Sequence, residues 1–132
     1  PRCFEFRHLR GSSHSPLEDL QHLIKITAFV RPNRLESVKI ALGDIGIGGL
    51  TIVDVRGSGN SPETAGRLGP NVISLPPKSK LMVVIPDDLL EPALHAIETH
   101  ARTGEAGDGK VFWEIVEQSM RIRTSETGED AI

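Results

Sequence analysis

Tyrosine is missing from this chain altogether, and other aromatics are sparse: four phenylalanines and one tryptophan among 132 residues. No phenolic hydroxyl is therefore available for covalent modification or for acid–base chemistry. Cys3 is the single cysteine, which excludes an internal disulfide and fits a reducing compartment. No apolar run approaches the ~20 residues that span a bilayer as a helix. Neither sign of charge dominates, since the net charge is −3. That balance gives no reason to expect nucleic acid or an anionic membrane as the main partner. The five histidines are scattered, and His95 and His100 stand five apart on an expected helix. A helical metal pair needs i, i+4 spacing, so no metal site is expected.

What is present suits one domain with a real core. Residues 1–22 read as an N-terminal extension without sustained period, poorly ordered or carrying a short helix around Pro16–His22, with Ser15 as cap and Glu18 three residues on. A strand is expected over Ile24–Val30, where Ile24, Ile26, Ala28 and Val30 share one face. Arg31-Pro32 breaks it. Asn33 and Glu36 make a capping-box pattern, and Leu35, Val38, Leu42 and Ile45 follow at helical spacing, so Arg34–Asp44 is an amphipathic helix. Glycines 43 and 46 end it, and Leu50–Arg56, rich in β-branched residues, forms the next strand.

Gly57–Pro77 shows no period, and a loop of that length in a compact domain is usually functional or disordered. Leu81–Ile85 is apolar throughout and reads as a central strand. Asp88 with Glu91 repeats the capping pattern, and Leu90, Ala93, Leu94, Ile97 and Ala101 make the buried stripe of a second helix. A last strand covers Val111–Val116. The order βαβ, long loop, βαβ predicts an α+β fold of ferredoxin-like type, with an antiparallel sheet and both helices on one face.

The densest chemistry lies in Ala101–Lys110, where Gly104, Gly107 and Gly109 surround Asp108 and Lys110 closes the stretch. Glycines permit φ > 0 and close approach of backbone N–H groups, which together form an anion nest. Lys110 adds a point charge where phosphate oxygens would lie. Gly104–Lys110 formally matches the core of a P-loop, but Val111 replaces the required Ser or Thr and a strand follows in place of a helix. A simple glycine turn explains the glycines but not Lys110 with Arg121 and Arg123. No serine nucleophile elbow or acid–base pair stands out, and Asp87-Asp88 fits helix capping better than catalysis.

Ala101-Arg-Thr-Gly-Glu-Ala-Gly-Asp-Gly-Lys-Val-Phe112 together with Arg121-Ile-Arg-Thr-Ser-Glu-Thr-Gly-Glu-Asp-Ala-Ile132 resembles the PII signal-transduction proteins. Ile24–Gly59 fits the same pattern through Arg31-Pro32, Leu35, Val38, Ala41-Leu42, Gly46-Ile47, Gly49, Leu50-Thr-Ile52 and Val55-Arg-Gly57. The resemblance implies a PII-like domain over residues 23–132 that forms a homotrimer and binds ATP, ADP or AMP in clefts between subunits. It implies that the loop 101–110 wraps the phosphates through Gly107, Asp108, Gly109 and Lys110, with Arg121 and Arg123, from the C-terminal loop 117–132, neutralising them. Gly49, Thr51 and Val84 would lie near base and ribose, with Phe29 beside them. Gly57, Ser58 and Gly59 would meet the nucleotide at the root of the mobile loop 58–76, which would contact a membrane transporter or metabolic enzyme.

The departures from the family pattern also carry information. Where the family usually has Arg-Gln, this chain has Asn60-Ser61, and Ser58 replaces a phenylalanine. Lys78 matches the lysine that pairs with a 2-oxoglutarate carboxylate. With Ser58, Gly59, Asn60 and Ser61 it would form a small-anion site. The pattern is similar to divergent members, including carboxysome-associated PII-like proteins that bind ADP or AMP with bicarbonate. The expectation is therefore a cytoplasmic, non-enzymatic signalling protein with no metal and no catalytic cofactor, reading an adenine nucleotide with bicarbonate or another small anion. Three alternatives stand beside it: an ordinary nitrogen-regulatory PII protein sensing ATP/ADP and 2-oxoglutarate, a weak ATPase using Asp108 or Glu105, and a purely structural trimer.

Overall fold

The computed structural model describes residues 22–59, 66–69 and 72–132. The short helix expected around Pro16–His22, and the expected roles of Asn60 and Ser61, therefore lie outside or almost outside the described residues. Strands β1 (Leu23–Val30), β2 (Thr51–Arg56), β5 (Pro77–Pro86) and β6 (Gly109–Val116) form one antiparallel sheet in the order β2-β5-β1-β6. Helices α1 (Leu35–Asp44) and α2 (Leu90–Ala101) pack side by side on one face of it. This is the ferredoxin-like arrangement that the element order implied.

Alternation decides which face the helices cover. In β1, Ile24, Ile26, Ala28 and Val30 are buried while Lys25, Thr27 and Phe29 are half-buried on the other side. In β5, Leu81, Val83 and Ile85 continue the buried face. Against these pack Val38, Ala41 and Leu42 of α1 and Leu90, Ala93, Ala96, Ile97 and Ala101 of α2. Each fully buried valine, leucine or isoleucine side chain there contributes roughly 1.5–3 kcal/mol. The opposite sheet face, carrying Val53, Val55, Lys78, Lys80, Phe29, Lys110 and Phe112 in register, has no covering layer among the described residues.

Three local expectations are corrected. Neither capping box forms, because each helix grows out of a 3₁₀ turn, Pro32–Arg34 and Asp87–Leu89, that contains Asn33 or Asp88 within it. The i→i+3 bond from Arg34 N–H to Arg31 O, 2.9 Å, supplies the backbone partner a side-chain cap would have given. The strand expected over Leu81–Ile85 starts at Pro77, since Lys78-Ser79-Lys80 continues the alternation with Ser79 buried on the helix side. Finally, Gly57–Pro77 is not wholly irregular: β3 (Gly66–Gly69) and β4 (Val72–Ser74) pair as a bulged two-stranded ribbon.

The end of α1 follows the glycine expectation closely. Gly46 has φ +92, and Ile47 N–H reaches Leu42 O (3.0 Å) while Gly46 N–H reaches Gly43 O (3.0 Å). That is a Schellman closure with Gly46 in the left-handed position, and the buried Ile47 packs into the core just beyond it.

Candidate functional site

At the end of the open sheet face where β1 finishes, the chain forms a cleft of about 710 Å³. Phe29, Val55, Lys78, Lys80 and Phe112 make its floor, the glycine loop contributes Gly107, Gly109 and Lys110, and Arg56–Gly59 border it. The phenylalanine rings of Phe29 and Phe112 meet edge to face, 6.3 Å between centroids at 83°, and Lys80 Nζ stands 6.0 Å from the Phe29 centroid. Among the described residues the lining holds four cations, Arg56, Lys78, Lys80 and Lys110, and no acidic residue. Such a wall favours a polyanion with an apolar part.

The glycine loop is shaped by its own aspartate. Asp108 Oδ2 accepts the N–H groups of Thr103 (2.8 Å) and Gly104 (2.9 Å). Its Oδ1 accepts the Thr103 hydroxyl and Arg31 Nε, the latter at 3.0 Å. Partial burial pushes the Asp108 carboxyl up, but the bonds from Thr103, Arg31 and Gly104 outweigh it and hold the group well below the usual carboxylate range. Arg31 Nη2 also donates to Ala106 O at 2.6 Å, and Lys78 Nζ donates to Gly107 O. Burial, and then the neighbouring Arg31 charge, lower the Lys78 pKa against the opposing pull of Asp108.

Glycine is required at one position of the loop above all. Gly109 has φ +113 and pairs with Val30 in the ladder, and a Cβ there would stand 1.7 Å from the Phe29 carbonyl oxygen. Gly104 and Gly107 also have positive φ, +89 and +98.

The site residues expected from the sequence divide into groups. Phe29, Gly57, Ser58, Gly59, Gly107, Gly109, Lys110 and Lys78 line the cleft. Asp108 does not; it borders a separate groove of about 330 Å³ between α2 and β6. Gly49, Thr51 and Val84 line a different cleft of about 830 Å³ at the other end of the sheet, together with Glu129 and Ile132. Phe29 is thus not beside Gly49, Thr51 and Val84 within one chain, because it pairs with Lys80 and Lys110 while Val84 pairs with Lys25. Arg121 bonds Glu126 Oε1 (3.4 Å) and the Ile132 carbonyl (3.2 Å), bracing the C-terminal hairpin closed by Met120 and Thr127. Arg123 is exposed.

The sequence reading missed Arg31 as a site residue, using it as a strand breaker and as part of the family pattern, and it missed Lys80 and Phe112 as cleft walls. A signal for the latter two existed in the alternation of β5 and β6, which puts 78, 80, 110 and 112 on one face. Among the described residues no group of three or more His, Cys, Asp or Glu is placed to hold a metal, and no helix is long and apolar enough to cross a membrane.

Fold and cleft together define a two-layer ferredoxin-like domain with a cationic, glycine-walled cleft on the sheet face that the two helices leave free. A sequence profile described as "Nitrogen regulatory protein P-II" matches residues 23–126. The chain is 44% identical over 110 residues to the nitrogen regulatory protein P-II of Haemophilus influenzae, covering 82% of this chain and 98% of the relative. The same protein from Cereibacter sphaeroides is also 44% identical with the same coverage. Among solved structures, Arabidopsis thaliana PII bound to citrate superposes with a TM-score of 0.70 at 39% identity, covering 84% of this chain and 92% of that one. The chain belongs to the P-II family of signalling regulators.

Proposed function

We propose that this protein is a non-catalytic adenine-nucleotide sensor that acts as a homotrimer in the cytoplasm. The observation that carries this reading is the 710 Å³ cleft, whose described lining has four lysine and arginine side chains, a glycine loop and no carboxylate. Nucleotide phosphates are the ligand class that such a wall suits. Phe29 and Phe112 add apolar surface beside the charges.

The division of the expected residues between two clefts supports assembly. Lys78 and Val84 are six residues apart on β5, roughly 20 Å along a strand. A second copy that brought its glycine loop to the first copy's Gly49–Thr51 cleft would complete one nucleotide pocket from two halves. Arg121 and Arg123 would then reach the phosphates from the C-terminal hairpin. The uncovered sheet face, with Val53 and Phe112 exposed, supplies surface for self-association.

The signal would leave through residues 58–76, whose root is tied by Gly57 N–H to Pro76 O (3.1 Å) and by Arg56 to Leu75 O (3.4 Å). Occupancy of the cleft would shift the population of that loop and so its affinity for a transporter or enzyme. A small anion beside the nucleotide would compete for Lys78, whose amine now sits on the Gly107 carbonyl. Ser58, Asn60 and Ser61 favour ADP or AMP with bicarbonate. The nitrogen-regulatory names of the relatives favour ATP/ADP with 2-oxoglutarate, and citrate on the Arabidopsis relative favours a carboxylate. An ATPase is disfavoured because Asp108, one of its two candidate bases, is already engaged by four donors and held well below the usual carboxylate range.

Calorimetry with ATP, ADP and AMP, each with and without 2-oxoglutarate and bicarbonate, tests the reading. Binding of an adenine nucleotide is expected, with its affinity altered by one of the anions. No nucleotide binding would sink the sensor, and strong Mg-ATP synergy with 2-oxoglutarate would assign the ordinary branch.

A further inference from the structure

Acceptors of three consecutive residues of the glycine loop are held by two cations, Arg31 just past β1 and Lys78 of β5. Ala106 O and the Asp108 carboxylate are held by Arg31, and Gly107 O by Lys78. Arg31 itself lines neither the phosphate cleft nor the groove behind it. It sits where β1 ends, and Pro32 follows at once. A proline biases the preceding residue to extended backbone, and Arg31 is extended at φ −62, ψ 138. Its side chain therefore leaves a rigid strand end, and both acceptors are reached by one planar fork.

We propose that Arg31 is a positioning residue for the ligand-binding loop, acting through Asp108 and the Ala106 carbonyl without touching the ligand. This rests on the nucleotide reading above. In a trans peptide the carbonyl of one residue and the N–H of the next point to opposite sides. Fixing the carbonyls of Ala106 and Gly107 therefore fixes the N–H directions of Gly107 and Asp108. Fixing the Asp108 carboxylate does the same for the Thr103 and Gly104 N–H groups that it accepts. An anion nest works only when its N–H groups are aimed before the ligand arrives. Glycines at 104, 107 and 109, all with positive φ, would otherwise leave the loop many conformations. Arg31 removes that freedom from one side and Lys78 from the other.

The guanidinium matters beyond its charge. Nε and Nη2 serve two acceptors at once, Asp108 Oδ1 and Ala106 O. A lysine ammonium at position 31 lacks that fork and is shorter in reach for two fixed partners. Charge alone should not replace it.

The experiment uses the full chain, with ADP as probe in calorimetry and amide exchange over 103–109 as a second readout. Thermal unfolding first checks that each variant folds. Arg31→Gln and Asp108→Asn should each weaken ADP binding roughly tenfold, as for loss of a hydrogen bond to a charged group, and should speed exchange at Thr103 and Gly104. The double variant should bind ADP no more weakly than the worse single one, because both changes break the same clamp. Arg31→Lys should fail to restore affinity. Additive losses, or full rescue by Arg31→Lys, would overturn the proposal by showing that Arg31 acts on the ligand directly through its charge. Unchanged exchange in Arg31→Gln would overturn it too. A wild-type chain that binds no ADP, ATP or AMP would instead be a failure of the nucleotide reading, visible before any variant is made; the exchange readout would then still decide whether Arg31 holds the loop.

Discussion

A Cβ placed on Gly109 would stand 1.7 Å from the carbonyl oxygen of Phe29. The contact is backbone to backbone, so no side chain can swing away to relieve it. Gly109 is also at φ +113, where other residues are strained. Gly109→Ala should therefore cost on the order of 3 kcal/mol or more in urea unfolding. Gly104→Ala is the matched control. Its φ is +89 but open space surrounds it, so only the backbone penalty of about 1 kcal/mol applies. Equal costs at the two positions would show that the close approach to Phe29 is not what demands glycine.

Helix α1 offers a second pair of opposite environments. Leu42 is fully buried between helix and sheet, whereas Ile40 is 59% exposed two residues earlier. Leu42→Ala should cost about 2–5 kcal/mol through lost transfer energy and an unfilled cavity. Ile40→Ala should stay within about 0.5 kcal/mol in an unfolding titration of the isolated chain. A large loss at Ile40 would mean that another surface covers it in solution.

These contrasts also show what the sequence could and could not say. Strands and helices were legible because Ile24, Ile26, Ala28 and Val30 alternate, and because Val38 and Leu42 recur at helical spacing, each set facing one core. The glycine loop was legible because glycine, aspartate and lysine in that order have few other uses. Capping was misread because a 3₁₀ turn ahead of each helix supplies backbone acceptors that no side-chain pattern reports. The start of β5 was hidden because Lys78 and Lys80, which line the cleft, stand where apolar residues would have marked a strand. Arg31 was invisible as a site residue because its partners, Ala106 and Asp108, lie 75 and 77 residues away. Only the pairing of β1 with β6 brings them together.

Removal of single positive charges should separate binding from stability. Lys110 is exposed and lines the cleft. Lys110→Ala should weaken nucleotide binding by roughly 1.5–3 kcal/mol, as for charge-assisted hydrogen bonds, while the unfolding midpoint stays put. Arg121→Ala should weaken binding by a similar amount and should also loosen the hairpin that Arg121 ties to Glu126 and Ile132. Both losses should shrink as salt is raised, since the interactions are partly solvent-exposed. Calorimetry at two ionic strengths beside an unfolding curve distinguishes the cases. Unchanged affinity in both variants would remove these residues from the site.

Acid titration tests the Asp108 clamp with a definite sign. The native carboxyl titrates well below its unfolded value of about 3.9, because Thr103, Gly104 and Arg31 donate to the charged form. A depressed native pKa gives stability that is fully present above the unfolded value and is lost as pH falls toward the native one. The stability difference between wild type and Asp108→Asn should therefore be flat from about pH 5 to 8. Below about pH 4 it should shrink, by at most about 1.4 kcal/mol per pH unit for one proton. Urea unfolding at several pH values measures that difference directly. A difference that stays constant down to about pH 3 would mean that Asp108 is protonated alike in folded and unfolded chains, and that the four donors around it hold the loop by something other than its charge.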